Sequence, residues 1–150
     1  MMVKPQEAWI RVLGLRRMLG ALLCGLVMLL GGCDGDNTSV EIGPTLFEFD
    51  RYLTGYTAVD TYPWDTTLRQ AFVTTTLQNF SSGNVTIRLY DGNGDAVYTQ
   101  LAVASSVTNL MGSRDYVVSD LTQVGTAGKW QVELRFEQFT GNLHVRLEQP

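Results

Sequence analysis

Three small groups of side chains in this 150-residue chain have the types and spacing to do chemistry. The first is Tyr52, Tyr56, Tyr62 and Trp64, set beside Asp60 and Asp65. Such rings stack on sugar faces or line a protein interface, and neighbouring carboxylates accept hydrogen bonds from hydroxyls. The segment 52–64 lacks clean alternation and contains Gly55 and Pro63, so it is expected to be a long loop, where binding residues tend to sit. The competing expectation is that the same rings cap the open end of a β-sandwich. The second group is Asp91-Gly-Asn-Gly-Asp95, with oxygen ligands at alternate positions. An EF-hand loop needs glycine at its sixth position and glutamate at its twelfth, and here Ala96 and Ala102 stand there. What remains is a weak calcium candidate from Asp91, Asn93 and Asp95, set against a solvated hairpin turn, which the composition favours. The third is a thiol, Cys33.

Other chemistry is thin. His144 is the sole histidine, and alternation places it on an outward face with Arg146 and Glu148. Without a second histidine or a cysteine beside it, no transition-metal set is expected. No Gly-x-Ser-x-Gly elbow occurs, and a sandwich this small is not expected to be an enzyme. Neither a resident cofactor nor a metal is expected.

Cys33 has a distinctive context. Arg16 and Arg17 precede an uncharged, largely apolar run, residues 18–32, that is too short to span a bilayer but right for the core of an export signal. The run ends Leu30-Gly31-Gly32-Cys33. This resembles the lipobox of bacterial lipoproteins, in which an apolar residue and two small residues precede an obligatory cysteine. The resemblance implies that Cys33 receives a diacylglycerol and acyl chains, that the chain is cut before it, and that a covalent lipid attaches the protein to a membrane of the bacterial envelope, facing the periplasm. Cys24 does not compete, because Leu23 before it is too large. Asp34 resembles the inner-membrane retention signal of enteric bacteria. Gly35 departs from it, and the outer membrane stays open.

Cleavage would leave 7 basic and 14 acidic residues, with Lys129 the only lysine. That balance repels phosphates and excludes a nucleic-acid partner. Attachment to a membrane must therefore come from the lipid. With one cysteine left, no internal disulfide forms.

The elements that must position these groups read as strands. From residue 45 onward the pattern alternates with period 2. Along 129–137, Trp130, Val132, Leu134 and Phe136 point one way, with Gln131, Glu133 and Arg135 the other. Along 142–148, Leu143, Val145 and Leu147 point inward. Thr140-Gly141-Asn142 between them reads as the turn of a C-terminal hairpin. Residues 84–90 and 96–103, joined by the Asp91–Asp95 loop, read as a second hairpin, with Val97, Thr99, Leu101 and Val103 aligned. Further strands are expected over 45–50, 68–80, 107–111 and 116–121. The whole is an all-β chain: a small antiparallel β-sandwich, jelly-roll or Ig-like, of about eight strands, preceded by a helical signal peptide. Its organisation is a signal at 1–32, a flexible tether at 33–43 and a sandwich at 44–150.

The segment Gly128-Lys-Trp-Gln-Val-Glu-Leu-Arg-Phe, followed by Phe139-Thr-Gly-Asn-Leu-His-Val-Arg-Leu, resembles the closing hairpin of pre-peptidase C-terminal-type β-sandwiches. The resemblance covers about 20 residues and implies a non-catalytic accessory module; no functional residue carries over. The expected role is a lipid-anchored, non-enzymatic envelope protein that binds a protein partner or supports an assembly. The alternative is a carbohydrate-binding module that uses the aromatic 52–64 segment to hold a glycan.

Labelled palmitate should enter the wild-type protein in a bacterial host and fail to enter Cys33→Ala. Label retained by the variant would show that the lipid, if any, is elsewhere.

Overall fold

The computed structural model describes residues 38–106 and 115–150. The expected export segment 1–32, Cys33, Asp34 and the expected tether through residue 37 lie outside the described residues, as does the strand expected over 107–111.

Six strands carry the fold: β1 (Ser39–Ile42), β2 (Leu46–Thr66), β3 (Phe72–Tyr90), β4 (Ala96–Val103), β5 (Tyr116–Leu121) and β6 (Gly128–Glu148). Their pairings are all antiparallel, in the order β1-β2-β6-β3-β4, with β5 also on β3. Strands β2, β3 and β6 are 21, 19 and 21 residues long, several times the usual length. A twisted sheet cannot carry such strands flat, and each of the three breaks its register midway. The front layer comprises β1, residues 46–53 of β2, 141–148 of β6, 72–78 of β3, and β5. The back layer comprises residues 58–66 of β2, 128–136 of β6, 84–90 of β3, and β4. The same three strands therefore run through both sheets of the sandwich.

The breaks lie side by side. In β2 the register shifts between Leu53 and Ala58, and in β3 between Gln78 and Asn84. Gly55, Asn79, Gly83 and Gln138 all have positive φ there, the backbone signature of bulges that bend a strand. At Gly83 a Cβ would overlap the main chain of Glu137 and Gln138, so only glycine lets β3 and β6 touch at the bend. Side-chain hydroxyls replace the ladder bonds lost there. Thr140 Oγ1 accepts from the Gly55 N–H at 2.9 Å, and Thr57 Oγ1 from the Gln138 N–H at 2.9 Å.

Doubling back brings the two inner faces together. Tyr62 on the back half of β2 meets Phe47 and Phe49 on its own front half, at 5.8 and 5.7 Å between ring centres. The core adds Val73, Leu77, Val85, Ile87, Leu89, Trp130, Val132, Leu134, Phe136, Leu143, Val145 and Leu147, all buried. A polar bond also bridges the layers, Thr75 donating to Gln100 Oε1 at 2.9 Å, and within β4 Tyr98 donates to the same oxygen at 3.0 Å. Burial, with help from Asp120 and Tyr116, pushes the Tyr98 hydroxyl up to about 12.

Several expectations need correction. Residues 129–148 do not form a hairpin: Thr140-Gly141-Asn142 is the bend in one continuous β6, and the resemblance to a pre-peptidase C-terminal closing hairpin fails with it. Likewise 68–80 and 84–90 belong to one strand, β3, that starts at Phe72. Among the described residues the expected short strands give way to six, three of them double-length. Residues 39–42, expected within the flexible segment 33–43, instead pair with β2 as an edge strand. In β4 the inward residues are Tyr98, Gln100 and Ala102. Thr99 and Leu101 face out, and a bulge between Leu89 and Tyr90 lets Val97 turn in. A one-residue slip reverses a strand's faces. The β6 register holds as read, except that Glu133 is half-buried, lying 3.6 Å from Arg88 and 3.9 Å from Arg135.

Phe136→Ala should lower unfolding free energy by ~3–5 kcal/mol, the cost of deleting an enclosed ring. Gly83→Ala should cost more than about 1 kcal/mol, since positive φ and backbone overlap act together. Gln131→Ala, on the wet face, should stay within ~0.5 kcal/mol of wild type. Urea denaturation measures all three, and an unaffected Gly83→Ala would contradict the bend.

Candidate functional site

The aromatic segment is strand, not loop. Tyr56, Ala58, Asp60, Tyr62, Trp64 and Thr66 turn inward along the back half of β2, alternating with exposed Thr57, Val59, Thr61, Pro63 and Asp65. Pro63 lacks an N–H, and the free edge of a sheet tolerates it because no ladder bond is lost there. Trp64 is fully buried, edge-on against its register partner Trp130 at 5.7 Å. Its indole N–H donates to the Gly43 carbonyl at 2.8 Å, while the Trp130 indole donates to the Thr126 carbonyl at 2.7 Å. Trp64 is therefore a core residue and no ligand platform, which removes it from the expected binding surface.

Tyr56, Tyr62 and Asp60 close the mouth where β2 folds over. The Arg51 guanidinium lies 4.8 Å from the centre of the Tyr56 ring and 3.7 Å from Asp60, and the Tyr56 hydroxyl donates to Asp60 at 3.2 Å. Burial first, then the Asp60 carboxylate, raises the Tyr62 hydroxyl above the ordinary tyrosine range. These rings fill the edge of the sandwich, as the competing expectation had it. Asp65 is exposed, directly across from Lys129.

The Asp91 loop is likewise internal machinery. Asp91 is buried. Its Oδ1 accepts the N–H groups of Asn93 at 2.9 Å and Asp95 at 3.0 Å, and its Oδ2 that of Thr126 at 2.6 Å. These donors, Thr126 foremost, hold the Asp91 carboxyl below the usual carboxylate range. Three N–H dipoles aimed at the oxygens oppose a cation there, so the calcium candidate Asp91, Asn93, Asp95 gives way to a staple that pins the β3–β4 turn to the segment before β6. Among the described residues no group of three or more His, Cys, Asp or Glu could hold a metal ion.

What survives of the predicted surface is Tyr52. Its ring is 54% exposed on the outer face of the front layer, at the end of the straight part of β2. Across the strands its register partner is Asn142 on β6, whose partner in turn is Gln78 on β3. Gln78 donates from Nε2 to Asp115 at 2.8 Å, which fixes its amide. The next rows are Asp50, His144 and Thr76, then Glu48, Arg146 and Thr74. His144 Nε2 lies 3.1 Å from Glu48, and Arg146 donates to Glu48 at 2.8 Å and to Glu148 at 3.0 Å. Alternation places His144, Arg146 and Glu148 on one face correctly. Asn142 and Gln78 were missed because they sat in an expected turn and an expected separate strand. Only the register brings them beside Tyr52.

No protein-family model matches the chain, and no curated protein matches it. Among solved structures it is similar to a carbohydrate-binding module of Cellvibrio mixtus lichenase 5A in complex with cellotriose, with 11% identity over 78% of this chain and 88% of that one and a TM-score of 0.45. It is also similar to the CBM22-1 xylan-binding domain of Paenibacillus barcinonensis Xyn10C, with 9% identity, 78% and 84% coverage and a TM-score of 0.36. Bacillus endospore appendages, a family of disulfide-linked pili, give 21% identity, 81% and 98% coverage and a TM-score of 0.27. At such TM-scores these likenesses carry no argument, and the fold rests on the strand pairing itself. Among the described residues no helix is long and apolar enough to cross a membrane.

The lowered Asp91 carboxyl fixes the sign of a pH effect. Its stabilising contribution is complete above about pH 4, the unfolded value, and is lost as pH falls through the lower folded value. Asp91→Asn, which turns an amide N–H toward a backbone donor, should melt below wild type at neutral pH. The gap should shrink as the pH is taken under 4. A constant gap in thermal melts across pH 2–7 would show that the carboxylate charge plays no part.

Proposed function

We propose that the chain is a non-enzymatic, lipid-anchored module of the bacterial envelope that holds a glycan on its front face around Tyr52. The observation that carries the binding reading is the setting of that ring. It is an exposed aromatic on a register-locked strand, followed across the sheet by the amides of Asn142 and Gln78. A tyrosine offers a flat apolar face with little side-chain entropy to lose. With Asn142 Oδ1 buried and Gln78 Nε2 on Asp115, the Asn142 Nδ2 is the group to donate to a sugar oxygen and the Gln78 Oε1 the one to accept from a sugar hydroxyl. The glycan alternative drawn from the sequence is thus kept, and its site moves from the whole 52–64 segment to Tyr52 and residues of two other strands.

The anchor is supported by Leu30-Gly-Gly-Cys33 behind its apolar run. Because β1 begins at Ser39, residues 34–38 set the reach of the tether, at most about 20 Å when fully extended. A module so tethered works at the membrane surface.

A glycan array followed by calorimetry tests the site. Tyr52→Ala should weaken the best glycan by on the order of 2 kcal/mol, the scale of an aromatic hot spot, and should leave the melting temperature unchanged because the ring is exposed. Tyr52→Phe should retain most of the affinity. Undiminished binding by a folded Tyr52→Ala protein would end the proposal.

A further inference from the structure

We infer that the ligand held at Tyr52 is a neutral glycan, and that acidic glycans are excluded; this rests on the glycan reading above. The chain is acidic overall, and the bend beside Tyr52 carries one charge among its described residues, the exposed Glu137 carboxylate, which accepts from Asn84 Nδ2 at 2.9 Å. Residues 52–58, 78–84 and 138–143 contain no Asp, Glu, Lys or Arg, and Thr54, Asn79, Ser81, Ser82 and Gln138 are exposed there. Apart from Glu137, the exposed side chains there are hydroxyls and amides.

An acidic sugar is favoured by a nearby cation and disfavoured by nearby carboxylates. Among the described residues, each arginine placed near this face is engaged by a carboxylate. Arg146 reaches Glu48 and Glu148. Arg51 turns inward onto Asp60 and the Tyr56 ring. His144 lies against Glu48. Among the described residues the flanking groups without an arginine partner are acids: Asp50 one row from Tyr52, and Asp115 beyond Gln78. Their field opposes a polyanion before contact. A sugar hydroxyl meets no such penalty and finds amide partners on two strands. Adjacent strands lie about 4.8 Å apart, so the row from Tyr52 through Asn142 to Gln78 spans about 10 Å, longer than one sugar ring. The ligand is accordingly an oligosaccharide lying across the strands.

The test uses the full-length anchored protein in detergent and its soluble counterpart lacking residues 1–33. Both are applied to an array holding neutral and uronic-acid glycans. Whichever neutral polysaccharide binds is then titrated against its own C6-carboxylated form. At about 20 mM salt the acidic form should bind at least about tenfold more weakly, and the gap should narrow at about 150 mM as screening shortens the field. Asp50→Asn should narrow it further without changing affinity for the neutral form. Equal or tighter binding of the carboxylated form overturns the inference while leaving the glycan site standing, as does a gap that neither salt nor Asp50→Asn moves. Absence of any glycan binding overturns the glycan reading, and this inference with it.

Discussion

The contact between Gly83 and the main chain of Glu137 and Gln138 is the constraint on which the remaining architecture depends. Three strands must turn at one line for a single sheet to become two packed layers. At that line their backbones approach too closely for a side chain between them. Glycine supplies the room and positive φ supplies the turn, with Asn79 and Gln138 also in the left-handed region. The hydrogen bonds broken by the turn are recovered by Thr57, Thr140 and Ser82 hydroxyls. These bonds lie at the surface, where each adds about 1 kcal/mol to the bend.

Once the bend is made, the packing follows from alternation. Each long strand presents inward residues from both of its halves, and the halves meet face to face. Phe80 stacks on Phe139 at 4.9 Å and Phe136 meets Phe139 edge-on at 5.5 Å, filling the closed end. At the open end the Trp64–Trp130 pair takes that role, with both indole N–H groups satisfied by loop carbonyls. Asp91 completes that end by tying two loops through three backbone donors. The loops there are committed to closing the sandwich, which leaves the strand faces as the surfaces available to a ligand.

The proposed function grows from the same geometry. The bend requires glycine, small hydroxyl residues and amides, and it therefore concentrates uncharged polar groups at one end of an otherwise acidic domain. Tyr52 stands where the straight part of β2 ends against this surface. Register pairing holds it in place, and it stays more than half exposed.

By itself the sequence determined the period-2 alternation, and with it the all-β class, the inward set on β6 and the outward placement of His144. It determined the lipobox-like residues before Cys33, because that signal is local and linear. It did not determine where strands end. Thr140-Gly141-Asn142 has the chemistry of a hairpin turn, and the same chemistry serves a bulge inside one long strand. Whether the chain reverses or merely bends there depends on what β3 and β2 place opposite, and that is non-local. The same holds for the candidate site. Tyr52, Tyr56, Tyr62 and Trp64 are alike as residue types. Only the bulges between Leu53 and Ala58 shift the alternation so that the last three turn inward and Tyr52 stays out, and only the pairing of three strands brings Asn142 and Gln78 to its side.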